Sequence, residues 1–258
     1  RSTLFPYTTL FRSERWCFVD LPFWRPIALA LRDRFRWKVI YDCMDYHGGF
    51  SNTSDTMLKE EDELSRASDL VLASSHSLFA DQSQRNPNCI LVPNATDFEH
   101  FHVACGALPD ELRNLGKPVI GYYGAIADWF DSELIHELAL ARPQWTFVLI
   151  GRTFGADLAP LLHSKNVHLL GEKPYSVLPP YLHAFDVCII PFKKTPLTEM
   201  TNPVKLFEFV SAGKAVVATD LTELRHYSDY VELASGPEQW LLAIEKALHQ
   251  RSDRKSVV

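Results

Sequence analysis

Short apolar runs alternate with amphipathic stretches along nearly the whole chain, and this alternation constrains the fold more than any other feature. The runs are Trp16–Leu21, Lys38–Asp42, Leu70–Ala73, Cys89–Val92, Val119–Tyr123, Thr146–Ile150, Val167–Leu170, Val187–Pro191, Ala215–Thr219 and Tyr230–Leu233. Most are rich in Val and Ile and apolar at successive positions, as a strand needs to be when helices cover both of its faces. Strand–helix alternation of this kind predicts an α/β fold with mostly parallel, doubly wound sheets. Helix signals fall between the runs. Asp55 precedes a charged stretch, Thr56–Arg66. Asp131 is a suitable N-cap for Ser132–Ala141, with Glu133 in the first turn, and Pro237 suits the first turn of Glu238–Leu248.

Gly106, Pro109, Gly116 and Pro118 cluster near Phe101–Lys117, where periodicity fades, and a new strand–helix series starts at Val119. Two Rossmann-like domains are expected, residues 14–104 and 105–250. The first holds only about four strands where such a unit usually has six, and is expected to be incomplete. The two ends, Arg1–Ser13 and Arg251–Val258, resemble translated sequencing-adapter sequence, so they are expected to be non-native and the native start to lie upstream.

Composition narrows the function classes. With 47% hydrophobic residues in 258, a sizeable core can form. A net charge of −6 argues against a nucleic-acid binder, since phosphate backbones attract dense Lys and Arg patches. No apolar run is long enough to span a bilayer, and the chain does not open with the basic, apolar, small-residue order of a secretory signal. The five cysteines, Cys17, Cys43, Cys89, Cys105 and Cys188, form no Cys-x-x-Cys and are expected to be reduced thiols packed as small apolar residues. A cytoplasmic protein is expected, with peripheral contact at the inner face of the plasma membrane left open.

The segment Asn202-Pro203-Val204-Lys205-Leu206-Phe207-Glu208 carries the most chemistry. Asn202 is a good N-cap, Pro203 a good first helical residue and Gly213 a good left-handed stop, so a helix is expected over Pro203–Ala212. It follows the strand Val187–Pro191, at the carboxyl end where open α/β sheets bind ligands and where helix N-termini attract anions. Lys205 in the first turn opposes the helix dipole unless an anion offsets it; a diphosphate would do so. Glu208, three residues on and on the same face, can accept hydrogen bonds from a ribose diol. Spacing alone leaves a plain surface Lys–Glu pair equally open.

The stretch from Asn202 through Val216–Ala218 to Leu224 resembles the signature of GT-B glycosyltransferases of the large retaining family 4 type. Leu91–Asp97 is similar to that family's interdomain crossover, and Asp69–Ser75 to the strand and turn before it. The resemblance implies two Rossmann-like domains facing a cleft. The implied reaction transfers a sugar, with retention, from a nucleotide-diphosphate donor to the hydroxyl of a sugar, a lipid-linked glycan or another acceptor, in polysaccharide or cell-envelope glycan synthesis. No metal or other cofactor is implied. By the same resemblance Glu208 binds the donor ribose and Lys205 reaches the diphosphate. Leu170 and Tyr175 lie in the base-binding loop, backbone groups near Leu170 reading the base and Tyr175 shielding it.

The chain also departs from the family pattern. The position eight residues before the ribose Glu is Met200, with Glu199 beside it as a substitute from a shifted loop. The loop Gly124–Phe130 lacks the family's Arg and Lys, so that Gly124 and Ala125 would offer backbone N–H groups and Arg152 would help Lys205 neutralise the diphosphate. Asn202, Pro203 and Val204 complete the expected donor site. In the first domain, Asp45 and His47 follow a strand and are the candidates for binding sugar hydroxyls or moving a proton. His100 and His102 lie two apart with no third ligand in view, and no metal site is expected. Two other readings remain: a nucleotide-sugar binder without turnover, and a GT-B-fold nucleotide-sugar epimerase. A nicotinamide-binding protein is disfavoured, because no Gly-x-Gly-x-x-Gly follows a strand.

Overall fold

The computed structural model describes residues 15–103 and 106–255, with side chains described to residue 250. The expected non-native end 1–13, the last three residues of the other expected non-native end, 251–258, the expected domain boundary at 104–105 and Cys105 therefore lie outside the described residues. The chain divides into two compact units, residues 1–93 and 94–258. The division falls before Asn94, because Phe101 is fully buried in the core of the second unit.

The first unit holds β1 (Trp16–Val19), α1 (Arg25–Phe35), β2 (Lys38–Cys43), α2 (Asp55–Ala67), β3 (Leu70–Ala73), α3 (His76–Ser83) and β4 (Cys89–Leu91). Its strands are parallel and lie in the order β1-β2-β3-β4. Right-handed crossovers between successive neighbours place all three helices on one face. Val19, Tyr41 and Val71, aligned across three strands, are buried beneath them. Phe18, Ile40 and Leu70 align on the opposite face, where Phe18 is 62% exposed. Ser54, rather than Asp55, caps α2, by accepting from the Met57 N–H.

The second unit holds α4 (Phe98–Phe101), β5 (Val119–Tyr123), α5 (Ser132–Ala141), β6 (Thr146–Ile150), β7 (Val167–Leu169), α6 (Leu178–Ala184), β8 (Val187–Ile190), α7 (Pro196–Glu199), α8 (Val204–Ser211), β9 (Val216–Thr219), β10 (Glu232–Ala234) and α9 (Gly236–Lys255). The parallel strands lie in the order β10-β9-β8-β5-β6-β7. Every residue of β5, β6 and β8 is buried, the pattern their unbroken apolar runs predict. The chain runs outward one way from β5 and the other way from β8, so the topological switch point lies between these neighbours. Asp131 caps α5 as expected, accepting from the Leu134 N–H. The last strand begins two residues later than its apolar run, because Tyr230 closes a turn on the Tyr227 carbonyl.

Among the described residues no helix is long and apolar enough to cross a membrane. Cys17, Cys43, Cys89 and Cys188 are free thiols, Cys43 and Cys188 fully buried.

Candidate functional site

Helix α8 starts at the switch point, at the carboxyl end of β8. It starts one residue later than expected: Pro203 is extended (φ −75°, ψ 117°) and stands at the cap position without a side-chain bond. Asn202 does not cap. Its side-chain Nδ2 donates to Glu223 Oε1 at 2.9 Å and to the Tyr227 hydroxyl at 3.0 Å, and its backbone carbonyl accepts from Asn94 Nδ2 at 2.6 Å. Asn202 and Pro203 are buried and hold the loop in place, while Val204 is exposed at the helix start. Gly213 ends the helix in the left-handed region, at φ 65°.

Lys205 lies across Gly124, the residue after β5. A Cβ on Gly124 would collide with the lysine stem and come within 2.7 Å of Nζ, and its φ of 131° suits only glycine. The ammonium sits 5.7 Å from the centre of the Tyr122 ring and 5.6 Å from that of Phe192, so aromatic faces hold it rather than a carboxylate. Burial lowers its pKa from the ordinary lysine value, and Glu208 partly opposes the shift. A charged Lys205 therefore costs the unliganded fold stability at pH values below its lowered pKa, a cost relieved as pH rises through it.

Glu208 is 6% exposed, one turn deeper on the same face. Burial raises its carboxyl, and the Tyr123 hydroxyl, Lys205 and His100 oppose the rise. The Tyr123 hydroxyl is buried without a partner at hydrogen-bonding geometry and lies next to this carboxyl.

A cavity of about 320 Å³ opens at the carboxyl ends of β5 and β6, lined by Gly124, Ala125, Gly151, Arg152, Glu172 and Lys173 among others. Arg152 is exposed there, as a phosphate clamp requires. Gly124 serves differently from expectation, and the Leu170 N–H is committed within the sheet. The Gly124 N–H is bonded to the Ile150 carbonyl at 2.8 Å and the Leu170 N–H to the Leu149 carbonyl at 2.9 Å, so neither amide faces a ligand. Gly124 instead makes room for Lys205. Ala125 is fixed by its carbonyl, which accepts from the Tyr122 hydroxyl at 2.7 Å. Gly151 packs so closely on this loop that a Cβ would lie 2.7 Å from the Gly124 carbonyl carbon.

Glu199 is also committed within the fold. Its Oε2 accepts from the Thr222 N–H at 2.7 Å and the Thr222 hydroxyl at 2.6 Å, and Lys194 stands 3.1 Å away. Burial raises its pKa, but these partners outweigh burial and hold it below the ordinary range. Tyr175 is half exposed and stacks on His100. Reading the chain alone misses Tyr123, His100, Gly151 and Lys173. The one signal for Lys173 was its place beside Leu170 in a loop after a strand; its ammonium pairs with Glu111.

In the first unit, Asp45 and His47 follow β2 as expected. Burial raises the Asp45 carboxyl, and His47 opposes this. His47 is 7% exposed, and its Nε2 is buried without a partner. Behind it Glu61 is buried on α2 and accepts from the Tyr41 hydroxyl at 2.9 Å. Burial raises Glu61, and the Tyr41 bond, His47 and Arg85 oppose the rise. Cys43 is pushed up to about 12, by burial first and Glu61 second, so its thiol is inert at neutral pH.

A lysine and a glutamate one turn apart thus stand on a helix at the switch point of a doubly wound parallel sheet, which places the second unit among the Rossmann-like α/β folds. Residues 117–250 match the model of the glycosyl transferases group 1 family, and the chain belongs to that family. A Bacillus subtilis (strain 168) protein named putative teichuronic acid biosynthesis glycosyltransferase TuaH is 30% identical over 247 residues, covering 86% of this chain. The chain spans 62% of that relative's length. Anabaena Alr3699/HepE in complex with UDP and glucose is similar in structure, with a TM-score of 0.73 at 18% identity over 93% of this chain and 69% of that one. Sucrose-phosphate synthase from Thermosynechococcus elongatus has a TM-score of 0.69 at 17% identity, over 94% of this chain and 66% of that one. At these identities the structural likeness is one of fold, and the folds of both units agree with the GT-B arrangement of two Rossmann-like parallel-sheet domains.

Proposed function

We propose that this chain is the donor-binding part of a retaining, family 4 type glycosyltransferase that moves a sugar from a nucleotide diphosphate to an acceptor hydroxyl. The carrying observation is the Lys205–Glu208 face of α8, with an ammonium set against the Tyr122 and Phe192 rings and a buried carboxyl on the same face. In the transfer, the bond from the sugar C1 to the β-phosphate oxygen breaks and a bond from the acceptor oxygen to C1 forms on the same face. The acceptor proton leaves with the departing phosphate or passes to a base. Negative charge growing on the diphosphate is met by Lys205, Arg152 and the first N–H groups of α8, with no metal ion invoked. Glu208 takes the ribose hydroxyls. Asp45 and His47 are proposed to contact sugar or acceptor hydroxyls.

HepE is described in complex with UDP-glucose, which makes UDP-glucose the first donor to test. The name of the Bacillus relative, a putative teichuronic acid biosynthesis glycosyltransferase, supports an acceptor in cell-envelope glycan synthesis. The second reading, binding without turnover, is favoured by Glu199, whose carboxylate is spent on Thr222 and Lys194. Calorimetry with UDP, GDP and ADP, beside an assay for sugar release or transfer from the matching nucleotide sugar, separates the two. Binding with turnover supports the transferase, binding alone the second reading, and an isomerised sugar from donor alone an epimerase. Binding of none of the three refutes the donor site.

Lys205 also sets a pH dependence. A diphosphate beside it favours the charged form, so at pH values where free Lys205 has begun to deprotonate, binding must take up a proton. Nucleoside diphosphate affinity is expected to fall as pH rises through a range below the ordinary lysine value of about 10.4. Calorimetry from pH 7 upward checks this, and Lys205→Arg should remove the slope. A flat profile in the unmodified protein would separate Lys205 from the phosphates.

A further inference from the structure

The residues around Glu208 form an aromatic series that runs from the core to the surface of the second unit. The Phe209 ring meets Tyr123 edge-on at 5.0 Å, Tyr123 stacks with Phe101 at 6.3 Å, and Phe101 meets Tyr175 edge-on at 5.4 Å. His100 closes the series, its ring stacked on Tyr175 at 4.7 Å and 17°. The same imidazole reaches the Tyr175 backbone, with Nε2 at 3.1 Å from its carbonyl oxygen. Since a carbonyl can only accept, Nε2 carries the proton. One side chain thus grips Tyr175 by its ring and by its backbone. The buried Phe101 fixes the edge of the Tyr175 ring, while half of Tyr175 stays exposed. Asp97 caps the short helix that carries His100, its carboxylate accepting from the His100 backbone N–H at 3.2 Å. Phe209, the residue after Glu208, begins this series, so the packed rings join the gripped Tyr175 to the helix that carries the carboxyl.

We infer that His100 is a positioning residue of the donor pocket, which fixes Tyr175 as a preformed aromatic wall beside Glu208 for the nucleoside of a nucleoside diphosphate. The inference rests on the donor-binding reading of α8. A free loop would lose conformational entropy when it closes on a ligand; a loop already clamped does not, and the difference is seen as affinity. The exposed part of the Tyr175 ring offers the sequence-tolerant π-surface on which a base or ribose can pack.

The test is calorimetry of the full chain with UDP, GDP and ADP, on the unmodified protein, His100→Ala, His100→Phe, Tyr175→Ala and the His100→Ala/Tyr175→Ala double variant. The melting temperature of each is measured alongside. His100→Ala should weaken binding of the preferred nucleotide by about tenfold, the combined size of a ring pair and one hydrogen bond. His100→Phe keeps the stack, loses the N–H and should recover part of the affinity. In the Tyr175→Ala background, His100→Ala should add almost nothing, because its partner is gone. A lower melting temperature with unchanged affinity would make the clamp purely structural and overturn the inference, as would additive effects in the double variant. Binding that weakens in Glu208→Ala but not in His100→Ala overturns this inference alone. An unmodified protein that binds none of the three nucleotides overturns the donor reading and the clamp with it.

Discussion

Replacing Lys205 with methionine is expected to lower kcat for sugar transfer or donor hydrolysis by about 10²–10³-fold, the usual cost of removing one group that meets charge developing on a leaving oxygen. The loss should be this large because the ammonium is poised before the donor arrives. It lies over Gly124 with its charge against the faces of Tyr122 and Phe192, and burial already disfavours that charge. An anion entering this space relieves the cost at the moment it is bound, and relieves it further as the diphosphate gains charge. Methionine keeps an unbranched chain of similar reach and suits an apolar crevice. The variant should therefore be at least as stable to heat as the parent, since a desolvated charge has been removed. Losing activity while keeping or gaining stability is the mark of a group placed for function at a structural cost. Binding of uridine, which has no phosphate, should be unchanged. Equal losses for uridine and UDP would mean that the substitution had damaged the pocket as a whole, and full activity would remove Lys205 from the mechanism.

Glu208→Ala is expected to weaken nucleoside diphosphate binding by about 1–3 kcal/mol, the range for hydrogen bonds to a charged group. The sharper measurement compares UDP with 2′-deoxy-UDP. The unmodified protein should prefer UDP, and the preference should shrink in the variant, because the carboxyl that reads the hydroxyl is missing. Glu208 is buried beside a Tyr123 hydroxyl that lacks a partner at hydrogen-bonding geometry, so the site is short of polar partners until a diol arrives. A deoxy preference that survives in Glu208→Ala would place the ribose elsewhere. The two substitutions separate the two ends of the donor: Lys205 answers to phosphate, Glu208 to sugar hydroxyls.

Several donor-site expectations changed in the folded chain, and they changed in one direction. Glu199, the side-chain N–H groups of Asn202 and the backbone N–H of Gly124 were expected to meet the ligand, and each is bonded within the protein. Polar groups at strand ends are abundant in any α/β sequence, and many of them exist to satisfy one another once buried. Lys205 and Arg152, by contrast, have no carboxylate partner among the described contacts of the second unit, which suits groups kept for an anion. The Asp45–His47 loop lies where its strand predicted, and the buried Glu61 behind it came from a helix that sequence periodicity marked only as charged.

What the sequence determined by itself is what depends on near neighbours in the chain. Unbroken apolar runs encode strands covered on both faces, and the 3.6-residue period puts Lys205 and Glu208 on one side of a helix whose glycine stop is visible at Gly213. Only the tertiary structure decided which polar groups are free for a ligand and which residues wall the site. His100 grips Tyr175 across 75 residues of chain, and Gly124 makes room for a lysine that arrives on helix α8. These pairings arise when the sheet brings distant strand ends together, and no local period records them.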